Sequence, residues 1–163
     1  MNPSTSSIPM QLRYVVLALQ RRGNRRLGAL FQGIGLTTAQ AETLEILAYH
    51  GPLTTREVGG YLLCESGSPS RILAALAEKK LSMRSHPAED KRITLHSITK
   101  AGRDKLNSIY ETEDIFHQAL RTQAEEKNIS EKDLSTTINT LTALLTDPEL
   151  KNALHLRFSY LTE

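Results

Sequence analysis

The stretch from Cys64 to Gly102 constrains the fold most, because a short helix there runs straight into a basic, β-tending hairpin. Ser68 is placed to cap that helix, with Pro69 at its first position, where a missing N–H costs nothing. The spacing predicts a helix from Pro69 to Lys80. Ile72, Leu73 and Leu76 recur at three- and four-residue intervals, so one face turns inward and Ser68, Ser70, Arg71, Ala74 and Ala75 are left outward. Small side chains with a single arginine suit close approach to a DNA major groove, where the arginine reaches a phosphate or a guanine edge. An ordinary amphipathic helix with a plain outer face carries the same pattern.

Two short β-tending segments, SMRSH and RITLHSI, come next in the chain and flank a polar PAEDK stretch. Helix, strand, turn, strand is the ending of a winged helix. The hairpin carries Arg84, Lys91 and Arg92 against Glu89 and Asp90, and such a tip projects beside the groove that the helix occupies. Exposed hairpin tips are also charged simply to block edge pairing.

Upstream, Thr37-x-x-Gln40 and Thr54-x-x-Glu57 are capping boxes that start helices near 38–50 and 55–63, with Gly51-Pro52 stopping the first. With the helix from Pro69 they make a helix-turn-helix. Before them, a helix from Pro9 to about Gln32 carries Leu12, Val15, Val16, Leu19, Leu27, Leu30 and Phe31 as an apolar stripe. Arg13, Arg21, Arg22, Arg25 and Arg26 stud it, as a phosphate or partner contact or as a solvated face. After the hairpin, Thr99 caps a helix from Lys100 to about Lys127, with Leu106, Ile109, Ile115, Phe116 and Leu120 apolar. Ser130 caps another, and Asp147-Pro148 breaks it before a last segment, 149–161. These terminal stripes exceed what a monomeric winged helix covers, and a second copy of the chain is the simplest cover.

The expected class is mainly α: a winged helix-turn-helix with a small β-hairpin wing and a helical dimerisation region. The divisions are a dimerisation helix over 9–34, a DNA-binding domain over 36–99 and a C-terminal dimerisation region over 100–163. The formal charge of +2 hides an asymmetry, because residues 1–41 hold five basic residues and no acids while residues 104–163 hold six basic and eleven acidic ones. One side is thus suited to a polyanion.

No membrane span or signal peptide is expected, which points to the cytoplasm. The five histidines are scattered, and only Glu113, Asp114 and His117 group at helical spacing, so neither a metal nor a cofactor is expected. No phosphate-cradling loop, nucleophile elbow or paired-cysteine motif appears, and no enzyme activity is expected. His86 and His96 lie on the two wing segments and would make the wing pH-sensitive if they faced each other. Cys64, the single cysteine, lies just before the recognition helix, where a helix dipole could activate its thiol for redox sensing. An inert, partly buried cysteine is the other reading.

The stretch also resembles the MarR-type winged-helix transcription regulators. Ser70-Arg71, Leu76, Lys79-Lys80-Leu81, Arg84, Pro87 to Arg92 and Ile98-Thr99-Lys100-Ala101-Gly102 fall in register with the family pattern, as do Gly35-Leu36-Thr37 and Gln40 upstream. Lys80 stands where the family usually has glycine, and Ser97 interrupts a usually apolar wing strand.

The resemblance implies a homodimeric repressor that binds a pseudo-palindromic double-stranded DNA operator. The helix from Pro69 would lie in the major groove and Arg92 at the minor groove, with Asp90 holding that arginine. It further implies release by a small, often aromatic, ligand, for which Tyr14, Phe31, Tyr49, Tyr61, Tyr110 and Phe116 are candidate pocket or core residues. The family's redox members use a cysteine on the first helix, and none occurs between Met1 and Leu63. The competing class is a winged-helix module that binds an acidic protein partner.

Overall fold

The computed structural model describes residues 7–64 and 67–158. In chain order it contains α1 (Ile8–Gly33), α2 (Thr38–His50), β1 (Leu53–Thr54), α3 (Thr55–Tyr61) and α4 (Pro69–Glu78). After these come β2 (Ser82–Ser85), β3 (Leu95–Ile98), α5 (Lys100–Glu126), α6 (Glu131–Leu144) and α7 (Pro148–Arg157). The last helix, expected over 149–161, ends at Arg157 with Phe158 as its C-cap, and residues 159–161 lie outside the described residues.

Local chemistry accounts for most helix starts. The threonine hydroxyls of Thr37 and Thr54 each accept from the third helical N–H, while Gln40 and Glu57 reach back to the cap N–H. Ser130 and Asp133 form a third such box ahead of α6, and the Thr99 hydroxyl accepts from Gly102 N–H. Ser68 departs from expectation. It has extended backbone at the N-cap but makes no side-chain cap bond, and its hydroxyl lies 3.1 Å from that of Ser70. Pro69 at the helix start removes one orphan N–H, so the cap is less needed.

The sheet has the order β1-β3-β2, antiparallel throughout. The two wing strands match the sequence reading, whereas β1, only two residues long, is below what alternation can reveal. It pairs Leu53 with His96 and Thr54 with Leu95, which ties the wing's base to the start of α3.

The core gathers Phe31, Leu44, Leu47, Val58, Leu73, Leu76 and Ile109, each at most 2% exposed. Ile72, Leu73 and Leu76 are the buried side of α4, as their spacing requires. The C-terminal end of α1 joins this core through Leu27 and Phe31, but Leu12, Val15, Val16 and Leu19 are exposed. Ile115 and Leu120 on α5 and Leu134, Ile138, Leu141 and Leu144 on α6 are exposed as well, and α6 buries no residue at all. By contrast α7 lies against α3.

Candidate nucleic-acid interface

The outward side of α4 presents Ser68, Ser70 and Arg71, with Ala74 and Ala75 half-buried beside them. Arg71 sits in the first turn, with its N–H closing on Ser68 O at 3.0 Å. A helix with this face offers little steric bulk and one long cation near its N-terminus, a combination that suits groove insertion.

The wing tip is organised by Asp90. Its carboxylate accepts from the Arg92 backbone N–H at 2.9 Å, from Nε at 3.0 Å and from Nη2 at 3.1 Å. The guanidinium bonds, and then the backbone bond, hold the Asp90 carboxyl below its ordinary range. The Arg92 side chain stays 91% exposed, so the pair holds a cation in position without withdrawing it from solvent. Lys91 and Arg84 are exposed too. Across the base of the tip, the His86 ring donates from Nδ1 to Ile93 O at 2.9 Å.

The wing histidines do not face each other. The register sets Arg84 opposite His96, while His86 lies beyond the paired residues. His96 is only 3% exposed, and its Nε2 lies 3.0 Å from the Thr55 hydroxyl. Burial, and then the charge of Arg84, push its pKa down, so His96 is a neutral link between β3 and α3.

Two buried carboxylates escaped the sequence reading. Glu42 accepts from the backbone N–H of Leu63 at 2.8 Å and of Cys64 at 3.1 Å, which ends α3 at Tyr61 and fixes the approach to α4. Glu45 accepts from Arg157 Nη2 at 2.7 Å. The signal was two acids and no bases over residues 42–55, but their partners lie far along the chain. Cys64 is half-buried, and burial, followed by the Glu42 charge, pushes its thiol up to about 12. That thiol is neutral near pH 7, which opposes redox sensing through this residue.

Beneath α7 lies a cavity of about 520 Å³, lined in part by Leu27, Ile46, Tyr49, Tyr61 and Leu156. Of the other aromatic candidates, Phe31 is core, Tyr110 lies with its hydroxyl 3.0 Å from that of Tyr49, and Tyr14 is exposed. Phe116 lies beside Gly23. Among the described residues no group of acids, histidines and cysteine could hold a metal ion, and no helix is long and apolar enough to cross a membrane.

Residues 36–102 match the winged helix DNA-binding domain family. The transcriptional regulator MhqR of Bacillus subtilis is 32% identical over 76 residues, 47% of this chain and 52% of that protein. The organic hydroperoxide resistance transcriptional regulator of the same organism is 28% identical over 92 residues, 56% of this chain and 63% of that protein. Both matches thus span less than two thirds of the relatives' lengths. In three dimensions the chain resembles a mutant MarR from E. coli complexed with operator DNA, with a TM-score of 0.72 and 22% identity, over 86% of this chain and 99% of that one. The flanking helices, the three-stranded sheet that carries the wing and these likenesses agree on the fold: residues 36–102 match a winged helix DNA-binding domain, and the chain as a whole has a fold similar to that of MarR.

Proposed function

We propose that this chain is a homodimeric, cytoplasmic transcription regulator, most simply a repressor, that binds a pseudo-palindromic operator and is not an enzyme. In this reading residues 36–99 form the DNA-binding domain. The helices within 9–34 and 100–163 supply the dimerisation surface. The carrying observation is the wing: Arg92 is 91% exposed and aimed by Asp90, in a domain whose α4 leaves Ser70 and Arg71 open. Ser68, Ser70, Arg71, Ala74 and Ala75 enter the major groove. Arg84 and Lys91 contact backbone phosphates, and Arg92 adds charge in the narrow minor groove. A small molecule in the cavity beneath α7 releases the DNA.

The exposed stripes of α1, α5 and α6 support the dimer, because isolated soluble chains rarely leave such continuous apolar surface in water. Light scattering at micromolar concentration is expected to return twice the 18.2 kDa chain mass. A stable monomer would remove the dimer from this reading.

Arg92→Ala tests the DNA contact. A dimer carries two copies of this arginine, so operator affinity should fall and the slope of log affinity against log salt should flatten by roughly two. Thermal melts should be unchanged, since the residue is fully solvated. An unaltered affinity and slope in a folded variant would show that the wing does not touch DNA, and an acidic protein partner would become the better reading.

A further inference from the structure

We propose that the cavity beneath α7 binds a small aromatic monocation, with Glu113 as its counter-ion and Tyr49 and Tyr61 among its walls. The proposal deepens the effector reading above by naming the ligand class, and its test uses no DNA, so the two can fail separately.

Glu45 and Glu113 converge on a single guanidinium, that of Arg157. Arg157 is committed to Glu45, whose side chain is 8% exposed, by a contact of 2.7 Å. Its distance to Glu113 is 3.8 Å, near the outer limit of an ion pair. One carboxylate charge is therefore left poorly compensated at the wall of a cavity. Burial, and then the Glu45 charge, push the Glu113 carboxyl up to about 7, against the pull of Arg157. Asp114 on α5 adds to the negative potential. A cation that reached Glu113 would relieve this arrangement, whereas an organic acid would bring a further carboxylate to an arginine already taken.

The walls suit the same ligand. The His50 and Tyr61 rings stack with centroids 4.6 Å apart, and the Tyr49 and Tyr110 hydroxyls meet at 3.0 Å. Burial, the Tyr49 hydrogen bond and the nearby acids raise the Tyr110 pKa, so that phenol stays neutral. Aromatic faces attract a cation through the ring quadrupole, and about 520 Å³ is within the range of small-molecule sites. Acidification works against binding, because Glu113 loses its charge in a cavity that His50 on α2 and His117 on α5 also line.

Benzamidinium, benzamide and benzoate share one ring and differ in charge, so titration of the full chain with each, followed by protein NMR at pH 8, reads the preference directly. Benzamidinium should bind at least about tenfold more tightly than benzamide and benzoate most weakly, with shifts centred on Tyr49 and Tyr61. Lowering the pH from 8 to 6 should weaken benzamidinium about tenfold, because a carboxyl titrating near 7 goes from mostly ionised to mostly neutral over that interval. Glu113→Gln should erase the cation preference and most of the pH effect. Equal or tighter benzoate binding, shifts centred elsewhere, or no binding by any probe would overturn the proposal. So would a cation preference that survives in Glu113→Gln. The wild-type series at the two pH values decides the matter even if the variant fails to fold.

Discussion

Gly102→Ala is expected to cost about 2 kcal/mol and to lower the melting temperature by about 4–8 °C. A β-carbon at this position would sit 2.2 Å from Leu81 O, 2.7 Å from Ile98 Cγ1 and 3.1 Å from Leu81 C. Neither neighbour yields easily, since Ile98 is a buried strand residue and Leu81 O is backbone that accepts the Thr99 N–H at 3.1 Å. Relief means prising the first turn of α5 away from the turn between α4 and β2, an overpacking cost of about 3 kcal/mol. The better helix propensity of alanine returns at most about 1 kcal/mol. Gly60→Ala is the matched control. Nothing lies within 4 Å of its added carbon, and a neutral or slightly stabilised melt is expected there. If Gly102→Ala melted with the wild type, the α5 junction would be softer than these contacts require.

That junction shows what the motif from Ser70 to Gly102 encodes. Much of it is scaffold. The Thr99 hydroxyl donates to Lys80 O at 2.7 Å and accepts from Gly102 N–H at 3.0 Å. Lys79 Nζ donates to Gly35 O and to Gln40 Oε1, which ties the end of α4 to the turn between α1 and α2. The residues that resemble the family upstream and downstream are thus hydrogen-bonded to one another. Lys80 takes φ of 59°, the left-handed conformation that its place in the family pattern foretells, and a lysine there accepts strain that glycine would avoid.

Local rules made much of this fold legible, because capping boxes, proline positions and three-to-four spacing act within a few residues. The paired threonines before α2 and α3 and the stripe Ile72, Leu73 and Leu76 are such cases. The hidden features depend on partners distant in sequence. Glu45 meets Arg157 across 112 positions, His96 meets Thr55 across 41, and β1 exists only because β3 is there to pair with it. The cavity was hidden for the same reason, since α7 reaches it only by lying against α3. The outer face of α4 was legible as a pattern of small and basic side chains, and the structure leaves Ser68, Ser70 and Arg71 exposed there.

Arg71→Ala is expected to have the largest functional effect. Arg71 is exposed in the first turn of α4, the part of a recognition helix that meets base edges. An arginine that reads guanine through two hydrogen bonds contributes about 1–3 kcal/mol, and a two-fold dimer holds two of them. Operator affinity should therefore fall by roughly 30-fold to 10⁴-fold, taking about 1.4 kcal/mol per decade. On scrambled DNA of the same length the loss should be much smaller, because there each arginine acts only as a charge against phosphate. Arg71→Lys sharpens the contrast, since it keeps the charge but loses the planar fork, so binding to scrambled DNA should persist while operator preference drops. The fold should be unaffected, with a stability change within about 0.5 kcal/mol for so exposed a side chain. The measurement is fluorescence anisotropy on operator and scrambled duplexes at fixed salt, followed by a panel of operators substituted one base pair at a time. Arg71→Ala should become indifferent to one base pair in each half-site and keep its discrimination at the others. An equal loss on operator and scrambled DNA would reduce Arg71 to a phosphate clamp and move the base reading to Ser68, Ser70 and the wing.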